Sequence, residues 1–356
     1  MKPRLLAAMI AVLGSAIGFG AAAGPAWSSV PTPAVTGPVP VTADSYPFLA
    51  TDQDLEKYGY VEEEFFIEGN GYTYDTSGPY TQDAVRNDGD GTYPFKTRIV
   101  VRRPADPADA NGTVVAEWNN VTLTQDVEWN WFGDPEFMLK NGYTFVGVTA
   151  QNTGVNSLLN FDATRYAGLT VNGNGALGND DLSYDVFGAA LNAIKGNRTG
   201  VDPLGGITPG TVIASGQSQS CGRLATHHNE INPLQGIADA YLLTVCGSLV
   251  RDDRPEKLIR VLTESENRTP SPMSDYPDTA SIRHWEVAGA SHLPRQAGFN
   301  AQALLNRDFL PITVRCEKPP LSTVEMPFTV NRAIKGLVDW VEDGAVPPIA
   351  PRGQYD

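Results

Sequence analysis

At 356 residues, 41% of them hydrophobic and with 35 glycines and 27 prolines, the chain can bury one large core or two modest ones. Its 26 Lys and Arg against 41 Asp and Glu give a formal charge of −15 at pH 7. Such a surface repels phosphate backbones, and no Lys/Arg cluster with interleaved aromatics offsets it, which argues against nucleic acid as a partner.

In chain order, Met1-Lys2-Pro3-Arg4 precedes an apolar stretch from Leu5 to Phe19 and then Ala21-Ala22-Ala23-Gly24. A charged start, an apolar centre and a small-residue zone make a secretory signal, so residues 1–29 are expected to be removed on export. Loss of Lys2 and Arg4 moves the formal charge from −15 to −17. No other stretch reads as a membrane span, and the mature chain is expected outside the cell or in its envelope.

Residues 30–58 are Pro-rich with little periodicity and read as an exposed lead-in, leaving 59–356 as a single domain. Strand-like runs follow at Tyr60 to Ile67, Thr97 to Arg103, Gly112 to Trp118 and Tyr143 to Thr149. Between the first two, Asp88-Gly89-Asp90-Gly91 faintly resembles a calcium loop, but it lacks the downstream glutamate and reads as a turn. Helices fit Pro135 to Lys140, stopped by Asn141-Gly142, and Ser183 to Lys195. The Gly/Asn-rich stretch from Gln151 to Asp181 reads as a long loop, a wall or cover for a site. Residues 268–281 and 293–325 read as irregular, and a last helix fits Val330 to Val341. Alternating strands and helices imply a mostly parallel sheet covered on both faces.

The most informative segment is Thr211 to Arg223, where the β-branched run Thr-Val-Ile-Ala breaks into Gly216-Gln217-Ser218-Gln219-Ser220 and continues with helical spacing. A serine at the centre of such a strand-to-helix turn stands clear of the backbone, and small neighbours let the turn form. The pattern is G-x-S-x-S, with Ser220 where a second glycine is usual.

Chain order supplies partners. Lys257 to Thr263 reads as a strand running into Glu264-Ser265-Glu266, and Ile282 to Val287 as a strand followed by Ala288-Gly289-Ala290-Ser291-His292. The sequence serine, acid, histidine is the order of the α/β-hydrolase fold and differs from those of chymotrypsin and subtilisin. An imidazole can take the serine proton near neutral pH, and of the 4 histidines only His292 sits on a small-residue loop. His227 and His228 fall far along the helix after the turn and read as capping or decorating it; His284 lies inside a strand. The third member orients the imidazole. Glu266 is the choice and Glu264, two residues earlier, the alternative.

An oxyanion needs two backbone N–H donors. One is expected from Gln219, which follows the nucleophile. The other is expected from the loop Asn119-Asn120-Val121-Thr122 after the strand ending at Trp118, with Asn120 preferred over Asn119. Trp118, Trp129, Trp131, Phe132 and Trp285 offer aromatic surface near these segments, as pocket or as core. Of Cys221, Cys246 and Cys316, an odd number in an oxidising compartment, two are expected to pair; a Cys221–Cys246 bridge is sterically open, and no spacing fits a metal site.

These segments together, Glu117 to Thr122, Gly147 to Gln151, Gly216 to Ser220, Thr263 to Glu266, Trp285 to His292 and the closing Trp340, Gly344, Pro347 and Pro348, resemble a family of bacterial and fungal α/β-hydrolase-domain proteins from about Tyr60 to Pro348. The resemblance implies carboxylic ester hydrolysis without naming a substrate.

The sequence thus predicts a secreted serine hydrolase acting on small-molecule or polymeric esters, using Ser218, His292 and Glu266 with Gln219 and Asn120 at the oxyanion, and no metal or organic cofactor. An acyltransferase, amidase or lactonase could use the same residues. A noncatalytic binding protein on the same fold is the alternative from another class.

Overall fold

The computed structural model describes residues 30–353 except 78–79, 179, 268–275, 294 and 309–321. The expected signal segment 1–29 and Cys316 lie outside the described residues.

In chain order the elements are β1 (Ala34–Thr36), β2 (Tyr60–Gly71), β3 (Tyr74–Asp75), β4 (Val85–Arg86), β5 (Tyr93–Pro104), β6 (Thr113–Trp118), α1 (Trp129–Gly133), α2 (Pro135–Lys140) and β7 (Thr144–Val148). Then come α3 (Asn152–Phe161), α4 (Ser183–Ile194), β8 (Thr199–Gly200), β9 (Thr211–Gln217), α5 (Gln219–Thr226), α6 (Asn232–Gln235) and β10 (Ala240–Thr244). The chain closes with β11 (Lys257–Thr263), α7 (Glu264–Asn267), β12 (Ile282–Val287), α8 (Arg295–Asp308) and α9 (Met326–Glu342).

A ten-stranded sheet runs β12-β11-β10-β9-β6-β7-β5-β2-β1-β8. From β12 to β7 every pair is parallel, whereas β7–β5, β5–β2 and β2–β1 are antiparallel. Every residue of β6, β7, β9 and β10 is buried, the pattern of strands covered by helices on both faces. The sheet is that of the α/β-hydrolase fold, and in such parallel sheets ligands bind beyond the carboxyl ends of the strands.

Three expectations need correction. Residues 30–58 are not an exposed lead-in: β1 pairs with β2, and Val35, Phe48 and Leu49 are each 1% exposed. Arg98 donates to the Phe48 carbonyl and the Tyr166 hydroxyl accepts from the Phe48 N–H, so buried polar partners fix a stretch that has no periodicity of its own. The loop from Gln151 to Asp181 contains α3, whose Val155 and Leu158 supply a short apolar stripe among Asn and Gly. Residues 293–325 contain α8, whose Ala297, Ala301, Leu304 and Leu305 face inward between Gln296, Asn300, Gln302 and Asn306. In both helices the buried face is narrow and the intervening residues polar, which dilutes the 3.6-residue period. The Asp88–Asp90 segment is a 3-10 turn in which Asp88 pairs with Arg86.

Candidate active site

The carboxyl ends of β9, β11 and β12 converge. Ser218 sits between β9 and α5 at φ 56° and ψ −114°, a conformation that costs a non-glycine residue energy and persists only where its surroundings impose it. The surroundings are visible. The Ser218 N–H donates to the Thr244 carbonyl at the end of β10, 2.9 Å away. Gly216 has no room for a side chain, because a Cβ there would lie 2.9 Å from Leu224 Cδ1 and 3.1 Å from the Ser220 backbone. Ser220, in the place of the usual second glycine, braces the turn: its hydroxyl accepts from the Gln217 N–H at 3.1 Å and donates to the Gln217 carbonyl at 3.0 Å. A disulfide joins Cys221, in the first turn of α5, to Cys246, two residues past Thr244, with Cα atoms 6.0 Å apart. The bridge ties together the two segments that hold the serine.

His292 Nε2 lies 2.8 Å from Ser218 Oγ, and its Nδ1 lies 2.6 Å from Glu266 Oε1. A ring carrying its proton on Nδ1 donates to the carboxylate and accepts from the serine hydroxyl, so one tautomer satisfies both contacts. Glu266 Oε2 accepts from the Thr263 N–H at 2.9 Å and the Thr263 hydroxyl at 2.6 Å. Burial opposes the charge on Glu266, but the bonds from His292 and Thr263 outweigh it and hold its carboxyl below the usual carboxylate range. Glu264 does something else: its Oε2 accepts from the Gly289 N–H at 3.0 Å, and so fixes the loop that leads to His292. Ser265 Oγ accepts from the His292 N–H at 3.0 Å.

The other histidines are sealed in the core. His227 and His228, in a π-helical turn, do not decorate a helix surface; both are fully buried, and burial pushes each down to about 4. Their rings pack around Tyr241, an apolar neighbourhood that the position in the chain does not reveal. Burial pushes His284 down to about 3.

The loop expected to bear oxyanion donors follows β6. Buried ion pairs hold it: Asp126 takes Arg98 at 2.9 Å, the Asn119 amide at 2.8 Å and the Thr149 hydroxyl at 2.6 Å, and Glu128 takes Arg102 at 2.6 Å. The choice of Asn120 as oxyanion donor needs correction. Its N–H is spent on the Val127 carbonyl at 2.8 Å in an antiparallel bridge, and that of Asn119 on the Val148 carbonyl at 3.1 Å. The Asn120 side chain instead docks the loop on the elbow, donating to the Gln217 carbonyl at 2.7 Å and accepting from the Thr122 N–H at 2.8 Å. Val121 is left with the loosest N–H of these four, 3.4 Å from the Gln219 side-chain oxygen. Gln219, as the first residue of α5, has an N–H with no acceptor inside the helix.

Beside Ser218 opens a cleft of about 150 Å³ lined by Leu123, Trp129, Leu293, Gly298, Gln302 and Leu305 together with Asn120, Thr122, Gln217 and His292. Of the aromatic residues noted in the sequence only Trp129 lines it. Trp118, Trp131 and Phe132 are core, and Trp285 packs toward the chain end with its Nε1 donating to the Pro348 carbonyl. Glu117 anchors the helix that carries Trp129: its buried carboxyl accepts from the N–H groups of Asn130 and Trp131, and burial pushes it well above the usual range. The α8 wall carries no sequence motif, and only helical spacing of 298, 302 and 305 could have suggested it.

With a serine at a strand-to-helix elbow, a carboxylate and a histidine at the carboxyl ends of the parallel strands β9, β11 and β12, the class is that of the α/β-hydrolases. A family model for the alpha/beta hydrolase domain matches residues 35–356, and the chain belongs to that family. No curated protein sequence matches the chain. Solved structures similar to it include a dienelactone hydrolase from Anabaena variabilis, 12% identical over 68% of this chain and 95% of that one, with a TM-score of 0.34. Esterase 2 of Thermogutta terrifontis is 14% identical over 78% and 97%, with a TM-score of 0.37. An α/β serine hydrolase without a lid from Xanthomonas campestris is 12% identical over 68% and 96%, with a TM-score of 0.38.

Proposed function

We propose that the protein is a serine hydrolase that cleaves carboxylic esters, exported after removal of residues 1–29. The observation that carries the reading is the chain of contacts from Ser218 Oγ through His292 to Glu266, at 2.8 and 2.6 Å. In the proposed reaction Ser218 Oγ attacks the ester carbonyl carbon while His292 Nε2 takes its proton. The negative charge that collects on the carbonyl oxygen is met by the N–H groups of Gln219 and Val121, the latter released from the Gln219 side chain. His292 then protonates the leaving alcohol, leaving an acyl group on Ser218. Water, deprotonated by the same histidine, attacks the acyl carbon; the acid departs and Ser218 recovers its proton. Glu266 keeps the imidazole in the required tautomer and stabilises its charged form.

The export reading rests on the sequence of residues 1–29 and is in keeping with a Cys221–Cys246 disulfide, since such bonds persist in oxidising compartments. Among the described residues no helix is long and apolar enough to cross a membrane.

A fluorophosphonate probe tests the central claim, because only an activated serine is labelled. Labelling at Ser218, with turnover of p-nitrophenyl esters, is the expected result. No labelling would point to a noncatalytic binding protein. Product analysis with an added alcohol acceptor separates hydrolysis from acyl transfer.

A further inference from the structure

The cleft beside Ser218 has one wall made by a single helix face, and the geometry points to Gly298 as the residue that sets how long an apolar acyl group the site accepts. This rests on the ester-hydrolase reading above.

Gly298, Gln302 and Leu305 line the cleft from α8 at spacings of four and three residues, one face of a helix. Leu123 of the loop after β6 and Trp129 of α1 line the same cleft. The walls are therefore mostly apolar, and they suit a hydrocarbon chain rather than a charged or sugar-like group. The lining also includes Asn120 and Thr122, neighbours of Val121. An ester whose carbonyl oxygen points at the Val121 and Gln219 N–H groups directs the remainder of its acyl half along this loop. His292, which protonates the leaving alcohol, also borders the cleft; the apolar surface of Leu123, Trp129 and α8 is taken as the acyl side, and the two substrate series below decide between the two sides.

Gly298 differs from the glycines the fold requires. Its φ is not positive, so the backbone does not demand glycine. Among the described residues, a Cβ there would meet only Leu293 Cδ2, at 3.8 Å, an ordinary contact. At Gly216, by contrast, a Cβ would come within 2.9 Å of Leu224. Glycine within a helix also sacrifices stability relative to alanine. What the missing side chain does at position 298 is leave the cleft open.

The test uses the mature chain, Gly298→Leu, Gly298→Ala and Leu305→Ala, each checked by thermal melting and titrated with a fluorophosphonate so that rates are expressed per active serine. Two substrate series are measured: p-nitrophenyl esters from acetate to octanoate, with the leaving group fixed, and acetate esters of alcohols of rising length, with the acyl group fixed. Gly298→Leu is expected to lower kcat/KM for the longest well-used acyl group relative to acetate by roughly 10- to 200-fold per methylene displaced. Gly298→Ala should move the preference the same way by less, which covers the case in which the leucine variant fails to fold. Leu305→Ala should extend the preference to longer chains. An acyl series whose order is unchanged in all the folded variants overturns the assignment, as does a shift in the alcohol series instead. If the wild-type serine takes no label, the hydrolase reading falls and this inference with it; labelled serine with unaltered acyl preference overturns the inference alone.

Discussion

The two halves of the candidate site are built by different means. Ser218 is held by main chain and core: the Thr244 carbonyl, the crowded Gly216, the hydroxyl of Ser220 and the Cys221–Cys246 bridge all act on one turn. His292 and Glu266 sit on a loop and the short helix α7, joined by side-chain bonds, and the His292 side chain is 48% exposed against 9% for Glu266. The difference teaches where precision resides. Ser218 is held by the turn itself, whereas His292 is positioned by Glu266 and by the N–H contacts that Glu264 and Ser265 make to its loop. Loops carried on a rigid scaffold are where reactive groups commonly sit.

The comparison can be broken most sharply at the nucleophile. Ser218→Ala is expected to abolish probe labelling and lower kcat by up to about 10⁶-fold, since residues of a triad act as a unit, with the melting temperature essentially kept. Label that moves to Ser220 would refute the assignment. On the other half, Glu266→Gln is expected to cost roughly 10²- to 10⁴-fold in kcat by analogy with other triads, because an amide neither stabilises the imidazolium nor enforces its tautomer. Glu264→Gln, which weakens a bond to the Gly289 N–H, should cost less than about tenfold. Kinetics of both, read beside their melts, would reverse the assignment if the Glu264 variant were the inactive one.

Stability should show the opposite asymmetry. Replacing Cys221 and Cys246 together by alanine removes a closure spanning 25 residues and is expected to cost about 2–4 kcal/mol by denaturant unfolding. Ser220→Ala removes two buried hydrogen bonds on Gln217 and is expected to cost about 1–3 kcal/mol, since the Gln217 N–H is left unsatisfied; a neutral result would mean the elbow needs only a small residue there. The smallest effect concerns pH. The Glu266 carboxyl is held below its ordinary value of 4.5 in the folded chain, so its charge stabilises the fold above that pH, and the contribution is lost as pH falls through the lower folded value. Wild type should therefore out-melt Glu266→Gln near neutrality, and the gap should close on acidification below about 4.5. A gap that is constant with pH would show that the carboxylate bonds add nothing to stability.

Legibility in the sequence follows the same division. Strands such as Lys257–Thr263 and Ile282–Val287 are short runs in which β-branched and apolar residues predominate or alternate with polar ones, and their observed bounds coincide with the pattern. The elbow is legible because its geometry demands small residues around one serine. Which N–H groups of this loop stay free of backbone partners is not legible, because the answer depends on the Asn120–Val127 bridge, a tertiary pairing that engages the Asn120 donor. The α8 wall of the cleft is missed for a related reason: Gly298 and Gln302 are unremarkable residues until α8 is laid across the cleft. Residues 30–58 show how buried polar partners can order a stretch without periodicity.

That stretch has a practical consequence. The far end of α8 is fastened to it: Asp308 accepts from the Leu49 N–H at 2.7 Å and the Tyr46 hydroxyl at 3.0 Å, and Arg307 donates to the Ala50 carbonyl at 2.9 Å. An expression clone trimmed to residue 59, where composition suggests a boundary, would delete the strut that clamps the helix running from the histidine loop along the cleft. A purification tag placed ahead of residue 30 leaves that strut whole, whereas a protease that nicks between β1 and β2 would cut the stretch that clamps the far end of α8.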